Sequence, residues 1–134
     1  MIYLDACALI KLVVTEPESV ALKAHLAEYS KAGVVGFSSE LAQVEVHRAL
    51  IRRKEGPNRH AHAATVLKTY AKLPLGPVIP AASQLPHQHL GSLDALHLAT
   101  ATSMGKALTH FITYDQQLAK FAAEVGLPVA APGV

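Results

Sequence analysis

The chain has 134 residues, of which 51% are hydrophobic and 16% are charged, so it can bury the core of one domain spanning residues 1–134. The longest stretch without charged side chains, residues 73–93, contains four prolines, which argues against a membrane-spanning helix. The N-terminus lacks the features of a signal peptide, and a lone cysteine, Cys7, cannot form an internal disulfide. We therefore expect a cytoplasmic protein.

In chain order, short β-rich runs alternate with stretches of helical periodicity. Strands are predicted at residues 2–4, 34–37, 78–79 and 110–113, with an edge strand at 129–130. Helices are predicted at residues 6–14, 16–32, 40–54, 59–73, 81–90, 93–104 and 115–125. A capping box of Thr15 and Glu18 would open the second helix. Apolar strands alternating with helices predict a parallel sheet covered by helices on both faces.

The acidic residues of greatest interest follow apolar runs or lie within them. Asp5 closes the first strand, Asp115 follows the fourth after one residue, and Asp94 opens the helix at 93–104; the chain has no other aspartate. Glu45 lies among apolar neighbours near the start of the helix at 40–54. Since parallel strands end, and the following helices begin, at one edge of the sheet, we expect these four carboxylates to converge there.

Each acid also has a plainer interpretation. Asp5 could cap the first helix, and the first-turn positions of Asp94 and Asp115 suit the helix dipole whatever the function. Glu45 could pair with an arginine on the surface. Considered together, however, grouped carboxylates repel one another unless a cation balances them, and an all-oxygen ligand set favours Mg²⁺ or Mn²⁺.

Basic residues are concentrated near the middle of the chain. Outside the four acids, 12 lysines and arginines face only six acidic residues. Every arginine falls in one short segment, and all are candidates for holding an RNA backbone: Arg48, Arg52, Arg53 and Arg59. The same segment could instead be a solvated helical face, or could face a dimer partner or another protein. A metal inside a basic surface suits cleavage of a phosphodiester, since it can activate water and polarise the phosphoryl oxygen.

Four motifs in register resemble the PIN-domain ribonucleases, most closely the VapC toxins of bacterial and archaeal toxin–antitoxin pairs. They are LDACAL (4–9), Glu45, LDALHLA (93–99) and TYDQQL (113–118). The resemblance spans nearly the whole chain and implies a PIN-like α/β/α sandwich with a mostly parallel sheet of four to five strands. It also implies an Mg²⁺- or Mn²⁺-dependent endoribonuclease that forms a homodimer and is neutralised by a VapB-like antitoxin whose tail occupies the acidic groove.

Carried over by position, the family's acidic quartet falls on Asp5, Glu45, Asp94 and Asp115, as catalytic and metal-binding residues. Thr113 matches a hydroxyl residue that supports the last acid. The chain departs from the family at Cys7, where serine or threonine is common, and a thiol is a weaker hydrogen-bonding group. His97 shares a helical face with Asp94 and could touch the metal, but a core residue or a neighbour of the metal ligands is the favoured interpretation.

Two other classes of function fit parts of the pattern. A non-catalytic PIN-like module that binds RNA or a protein would keep the fold without the chemistry. A phosphoacceptor domain or aspartate-based phosphatase would share the sheet topology. The phosphatase requires a second aspartate where Cys7 stands, and the receiver requires an acidic pair near Asp5, so both fit poorly.

Overall fold

A computed structural model describes all 134 residues. The strands are β1 (Ile2–Leu4), β2 (Gly36–Ser39), β3 (Ala71–Leu73), β4 (His110–Ile112) and β5 (Val129–Ala130). The helices are α1 (Ala6–Val13), α2 (Ser19–Lys31), α3 (Leu41–Arg52), α4 (Pro57–Thr69), α5 (Ile79–Ser83), α6 (Ser92–Ser103) and α7 (Gln116–Glu124). Single 3₁₀ turns cover Gly76–Val78 and Gly105–Ala107. None of these helices has the length and hydropathy needed to cross a lipid bilayer.

The five strands form one parallel sheet in the order β3-β2-β1-β4-β5. The chain builds outward from β1 to β3 on one side, then crosses back to add β4 and β5 on the other. The reversal lies between β1 and β4, which pair in register from Ile2–His110 to Leu4–Ile112. In open parallel sheets such a reversal leaves a crevice beyond the carboxyl ends of the strands, and here Asp5 and Thr113 are the next residues.

Side chains alternate across the sheet and build a core on each face. Ile2 and Leu4 point into a cluster shared with α1, α2, α3 and α4. Tyr3 and Phe111 point the opposite way, into a second cluster with α6 and α7. Successive residues of a strand face opposite sides, so short runs of three apolar residues serve both layers. The predicted three-layer α/β/α sandwich with a parallel sheet is therefore confirmed.

The third strand was predicted in the wrong place. Residues 78–79 lie at the junction of a 3₁₀ turn and α5, whereas Ala71–Leu73, predicted as helix, pairs with β2. Pro77 and Pro80 each sit in the first turn of these helical segments, where a fixed φ and a missing N–H cost little. Proline has no backbone N–H, so these two residues could not donate the hydrogen bonds that pair a strand with its neighbour.

The starts of β2 and α2 also differ from prediction. Val34, predicted as strand, donates its N–H to the carbonyl of Tyr29 and closes the end of α2, so β2 begins two residues later. No capping box forms at Thr15 and Glu18, because α2 begins only at Ser19. Glu18 instead lies 2.8 Å from the ammonium of Lys11, a residue of α1, which attracts the glutamate away from a backbone cap.

We expect Leu9→Ala to destabilise the fold strongly, because Leu9 is fully buried in α1 against the first core cluster. Truncating such a side chain lowers the free energy of unfolding by about 2–5 kcal/mol. Val20→Ala, at a position that is 78% exposed, is the control and should change it by less than about 0.5 kcal/mol. Urea denaturation followed by circular dichroism measures both; equal effects would contradict the assigned core.

Candidate functional site

All four of the singled-out acids line one cavity of about 370 Å³ at the carboxyl edge of the sheet. Asp5 follows β1, Glu45 lies on α3, Asp94 is in the first turn of α6, and Asp115 caps α7. Residues separated by as many as 110 positions thus share one hollow because β1 and β4 are neighbours and α3 and α6 begin at the same edge.

Asp5 is almost completely buried and is held by donors from three residues. Its Oδ1 accepts the N–H of Ala8 at 3.0 Å, which makes Asp5 the N-cap of α1. The thiol of Cys7 donates at 2.9 Å to Oδ1 and 3.1 Å to Oδ2, and the hydroxyl of Thr113 donates to Oδ2. Burial raises the pKa of the Asp5 carboxyl above its ordinary value, and these hydrogen bonds oppose that rise.

Cys7 therefore occupies the position of a hydrogen-bond donor to the first acid. Burial, and then the neighbouring charge of Asp5, raise the pKa of the Cys7 thiol well above its ordinary value, so the sulfur keeps its proton. A protonated thiol can donate to Asp5, as a serine or threonine hydroxyl would, whereas a nucleophilic thiolate is disfavoured. The N–H of Tyr114 donates to the same sulfur at 3.2 Å.

Thr113 links the ends of β1 and β4. Its hydroxyl donates to the carboxylate of Asp5 and accepts the backbone N–H of Asp115 at 3.1 Å. Asp115 uses Oδ1 to accept the N–H groups of Gln117 and Leu118, which leaves Oδ2 without a protein partner. The side chain of Thr113 thus contacts the carboxylate of the first acid, and only the backbone of the last.

Glu45 is held by a buried hydrogen-bonded chain that begins in the sheet. The Nε2 of His97 lies 2.5 Å from Oε1 of Glu45, and its Nδ1 lies 2.6 Å from the hydroxyl of Tyr3. His97 and Tyr3 are both almost inaccessible to solvent. Neither ring nitrogen of His97 is free, which identifies it as a neighbour of the acidic cluster and not as a ligand.

Asp94 is the acid with the least support from the protein. Its carboxylate is half-buried and accepts no hydrogen bond within the chain. Burial raises its pKa, and repulsion by Asp115, Asp5 and Glu45 adds to that rise, while His97 opposes it. Crowded negative charge with few internal donors is the electrostatic signature of a site that takes up a cation.

The donor set suits a hard divalent cation, although it does not form a closed cage. Every candidate ligand is a carboxylate oxygen, which Mg²⁺ and Mn²⁺ prefer. No group of three histidine, cysteine, aspartate or glutamate side chains is close enough to coordinate one metal ion. Mg²⁺ commonly binds through only one or two carboxylates and keeps several water ligands, so an open arrangement is compatible with it.

The four arginines fall into different environments. Arg48 and Arg52 lie one and two turns beyond Glu45 on α3 and line the same cavity. Arg53 pairs with Glu16 at 3.5 Å and lines a smaller cleft next to Asp115. Arg59 donates to the carbonyl of Val13 at 2.9 Å and so fastens α4 to the end of α1.

Tyr3 is the site residue that sequence reasoning missed. An aromatic residue in an apolar strand indicates core packing, and Tyr3 does stack on Phe111 with ring centroids 5.4 Å apart. The available signal was the phenol itself, because a buried hydroxyl requires a partner. Nothing in the spacing of the sequence identified His97 as that partner.

Comparisons with known proteins place these features in a family. The PIN domain family model matches residues 2–124. Ribonuclease VapC47 of Mycobacterium tuberculosis is 40% identical, over 99% of this chain and 98% of its own length. Ribonuclease VapC46 of the same species is 37% identical, over 98% of this chain and 97% of its own.

A solved structure has the same fold. The crystal structure of Mycobacterium tuberculosis VapC20, described as a Sarcin-Ricin loop cleaving toxin, superposes with a TM-score of 0.75. The match covers 98% of this chain and 100% of that one at 16% identity. At so low an identity this likeness concerns the fold alone.

We expect Asp94→Asn to stabilise the metal-free protein at pH 7, because the amide removes a charge that burial and three neighbouring acids disfavour. The loss of attraction to the helix dipole opposes this gain but is smaller. Since the pKa of Asp94 is raised in the folded state, protonation stabilises the wild type as the pH falls. The advantage of Asp94→Asn therefore shrinks through that raised pKa and vanishes below the ordinary value of 3.8.

Urea denaturation in EDTA between pH 7 and pH 4 measures this effect. Glu28→Gln, at an exposed ion pair on α2, is the control and should show no comparable gain. A variant less stable than the wild type at pH 7 would show that the four acids are not electrostatically frustrated.

Proposed function

This chain belongs to the PIN-domain family and to the VapC group within it, and we propose that it is a toxin that cleaves RNA internally with the help of Mg²⁺ or Mn²⁺. The observation that carries the proposal is the convergence of Asp5, Glu45, Asp94 and Asp115 on one cavity. Whole-length relatives named as ribonucleases support the same activity.

Asp94, Asp115, Glu45 and the deeper Asp5 would hold the metal, some directly and the others through its water ligands. Asp94 and Asp115 each present oxygens that no protein donor satisfies, and Glu45 has Oε1 engaged by His97 but Oε2 free. When bound, the metal supplies a nucleophile from water at neutral pH and neutralises charge that develops on the phosphate oxygens. Asp5 is held in the cavity by hydrogen bonds from Ala8, Cys7 and Thr113, and the other three acids lie around it.

Arg48 and Arg52 would hold the RNA backbone at the mouth of the cavity. Glu45, Arg48 and Arg52 are spaced three and four residues apart, so they lie on one face of α3. A guanidinium binds phosphate oxygens through paired N–H groups, which would orient the chain across the acidic cluster. Arg53 is a secondary candidate, whereas the contact of Arg59 with Val13 favours a structural role for it.

A protein partner would cover the same cavity when the toxin is inactive. Val44 and Leu93, which line its mouth, are 60% and 51% exposed, an arrangement suited to an apolar segment of an antitoxin. We further propose a homodimer and a cytoplasmic location, in keeping with the VapC resemblance and the lone, reduced cysteine.

We expect Asp94→Asn to abolish RNA cleavage while the fold is retained. Changing a residue that merely supports a metal ligand costs about 10–100-fold, so removing a ligand should lower kcat/KM by about 100-fold or more. The assay follows a labelled RNA with purified protein in Mn²⁺ and again in EDTA. Glu28→Gln, which neutralises an acid far from the cavity, is the control and should cleave like the wild type.

Equal cleavage by wild type and Asp94→Asn would contradict the proposed site. Intact RNA in the presence of Mn²⁺, accompanied by tight RNA binding, would favour a non-catalytic binding module instead.

We expect Arg48→Ala to weaken RNA binding and raise KM with a smaller change in kcat. Loss of one phosphate contact should reduce the dependence of log Kd on log salt by about one unit. Fluorescence anisotropy at several salt concentrations measures this slope. Lys68→Ala, on the exposed face of α4, is the matched control, because it removes one positive charge from the same basic segment. Equal slopes for both variants would indicate diffuse attraction only.

A further inference from the structure

We propose that His97 and Tyr3 are positioning residues that hold one oxygen of Glu45 so that the other faces the metal. The inference rests on the proposed function, because it assigns a task to Glu45 in that site. Its basis is the continuous chain from the Tyr3 hydroxyl through both nitrogens of His97 to Oε1 of Glu45, with separations of 2.6 and 2.5 Å.

The chemistry of the two ends fixes the direction of this chain. An ionised Glu45 has only acceptor atoms, so the Nε2 of His97 must carry the proton that it shares with Oε1. Nδ1 of a neutral imidazole is then an acceptor, and the donor it meets is the hydroxyl of Tyr3. A tyrosine side chain ordinarily carries its phenolic proton at neutral pH, so its hydroxyl can donate to Nδ1 across the 2.6 Å separation.

The surroundings make the chain rigid. Tyr3 is fully buried on β1, stacked on Phe111, and His97 meets its ring edge-on at a centroid distance of 5.9 Å. Glu45 by contrast is partly exposed, and a glutamate side chain has several rotatable bonds to fix. The hydrogen bond from the rigid His97 therefore restricts the side chain of Glu45, which would otherwise sample many rotamers.

The two carboxylate oxygens of Glu45 have different surroundings. Oε1 receives the proton of His97, whereas Oε2 has no donor within the chain. Residues that hydrogen-bond to a metal ligand orient that ligand, and their loss weakens metal binding. Here Tyr3 extends the support by one residue, onto the strand that Asp5 directly follows, so β1 helps to position two of the four acids.

A core role alone would produce a similar contact, and the chain contains one for comparison. The hydroxyl of Tyr29 on α2 meets Nδ1 of His110 at the opposite end of β4, away from the cavity. Tyr29→Phe thus removes the same type of hydrogen bond without touching the acids. It is the matched control for Tyr3→Phe.

Two substitutions of His97 separate orientation from packing. In His97→Gln the amide nitrogen lies close to the position of Nε2 and can still donate to Glu45. In His97→Asn the shorter amide reaches only the position of Nδ1. Titration calorimetry with Mn²⁺ in the absence of RNA should show affinity about 10–100-fold weaker for His97→Asn and largely restored in His97→Gln. Cleavage should fall through kcat, with KM for RNA nearly unchanged.

The phenol is tested separately by a substitution that removes only the hydroxyl and keeps the buried ring stacked on Phe111. Tyr3→Phe should weaken Mn²⁺ binding several-fold, and Tyr29→Phe should not. Nitrogen-15 NMR of labelled histidine supplies a readout that needs no metal: His97 should be the Nε2–H tautomer, and the Nδ1 resonance should move in Tyr3→Phe.

The results that overturn the inference differ from those that overturn the proposed function. A wild type that neither binds Mn²⁺ nor cleaves RNA removes both. A wild type that does both, with unchanged Mn²⁺ affinity in His97→Asn and Tyr3→Phe, removes the inference alone. An Nδ1–H tautomer, or equal losses in His97→Asn and His97→Gln, also overturns it.

Discussion

Burying the carboxylate of Asp5 costs free energy unless hydrogen-bond donors satisfy its oxygens. The elements that supply these donors must therefore meet around Asp5. Ala8 supplies one through the first turn of α1, and Thr113 supplies another from the strand alongside. The contact with Thr113 requires β1 and β4 to be adjacent and parallel, with Leu4 opposite Ile112. Asp5 therefore links the start of α1, the pairing of β1 with β4 and the acidic cavity at their carboxyl ends.

Asp94 is placed in the cavity in a different way. Asp94 has no internal donor, and the pKa of its carboxyl is raised by burial and by its acidic neighbours. A folded chain that keeps such repulsion must offset it through the two apolar clusters on either side of the sheet. The stability of the two apolar clusters thus allows repulsion between carboxylates to persist at the edge of the sheet. A bound cation would relieve that repulsion.

The sequence was most informative where residue type and position coincided. Four acids that follow apolar runs or lie within them predicted the cavity, and alternating strands and helices predicted the parallel sheet. It failed where tertiary contacts decide the outcome. Residues 71–73 form a strand because β2 offers them an edge, and Glu18 turns to Lys11 rather than capping a helix. The link between Tyr3 and His97 joins positions 94 residues apart, which no local pattern reveals.

Asp5 caps α1, Asp115 caps α7 and Glu45 is tied to His97, so three of the four acids belong to the scaffold as well as to the cavity. Asp94 alone carries no such duty. A substitution at position 94 is therefore the change best able to remove the proposed activity without disturbing the fold. The altered chain would keep the exposed side chains of Val44 and Leu93 at the cavity mouth, so it would still compete with the wild type for the partner proposed to bind there.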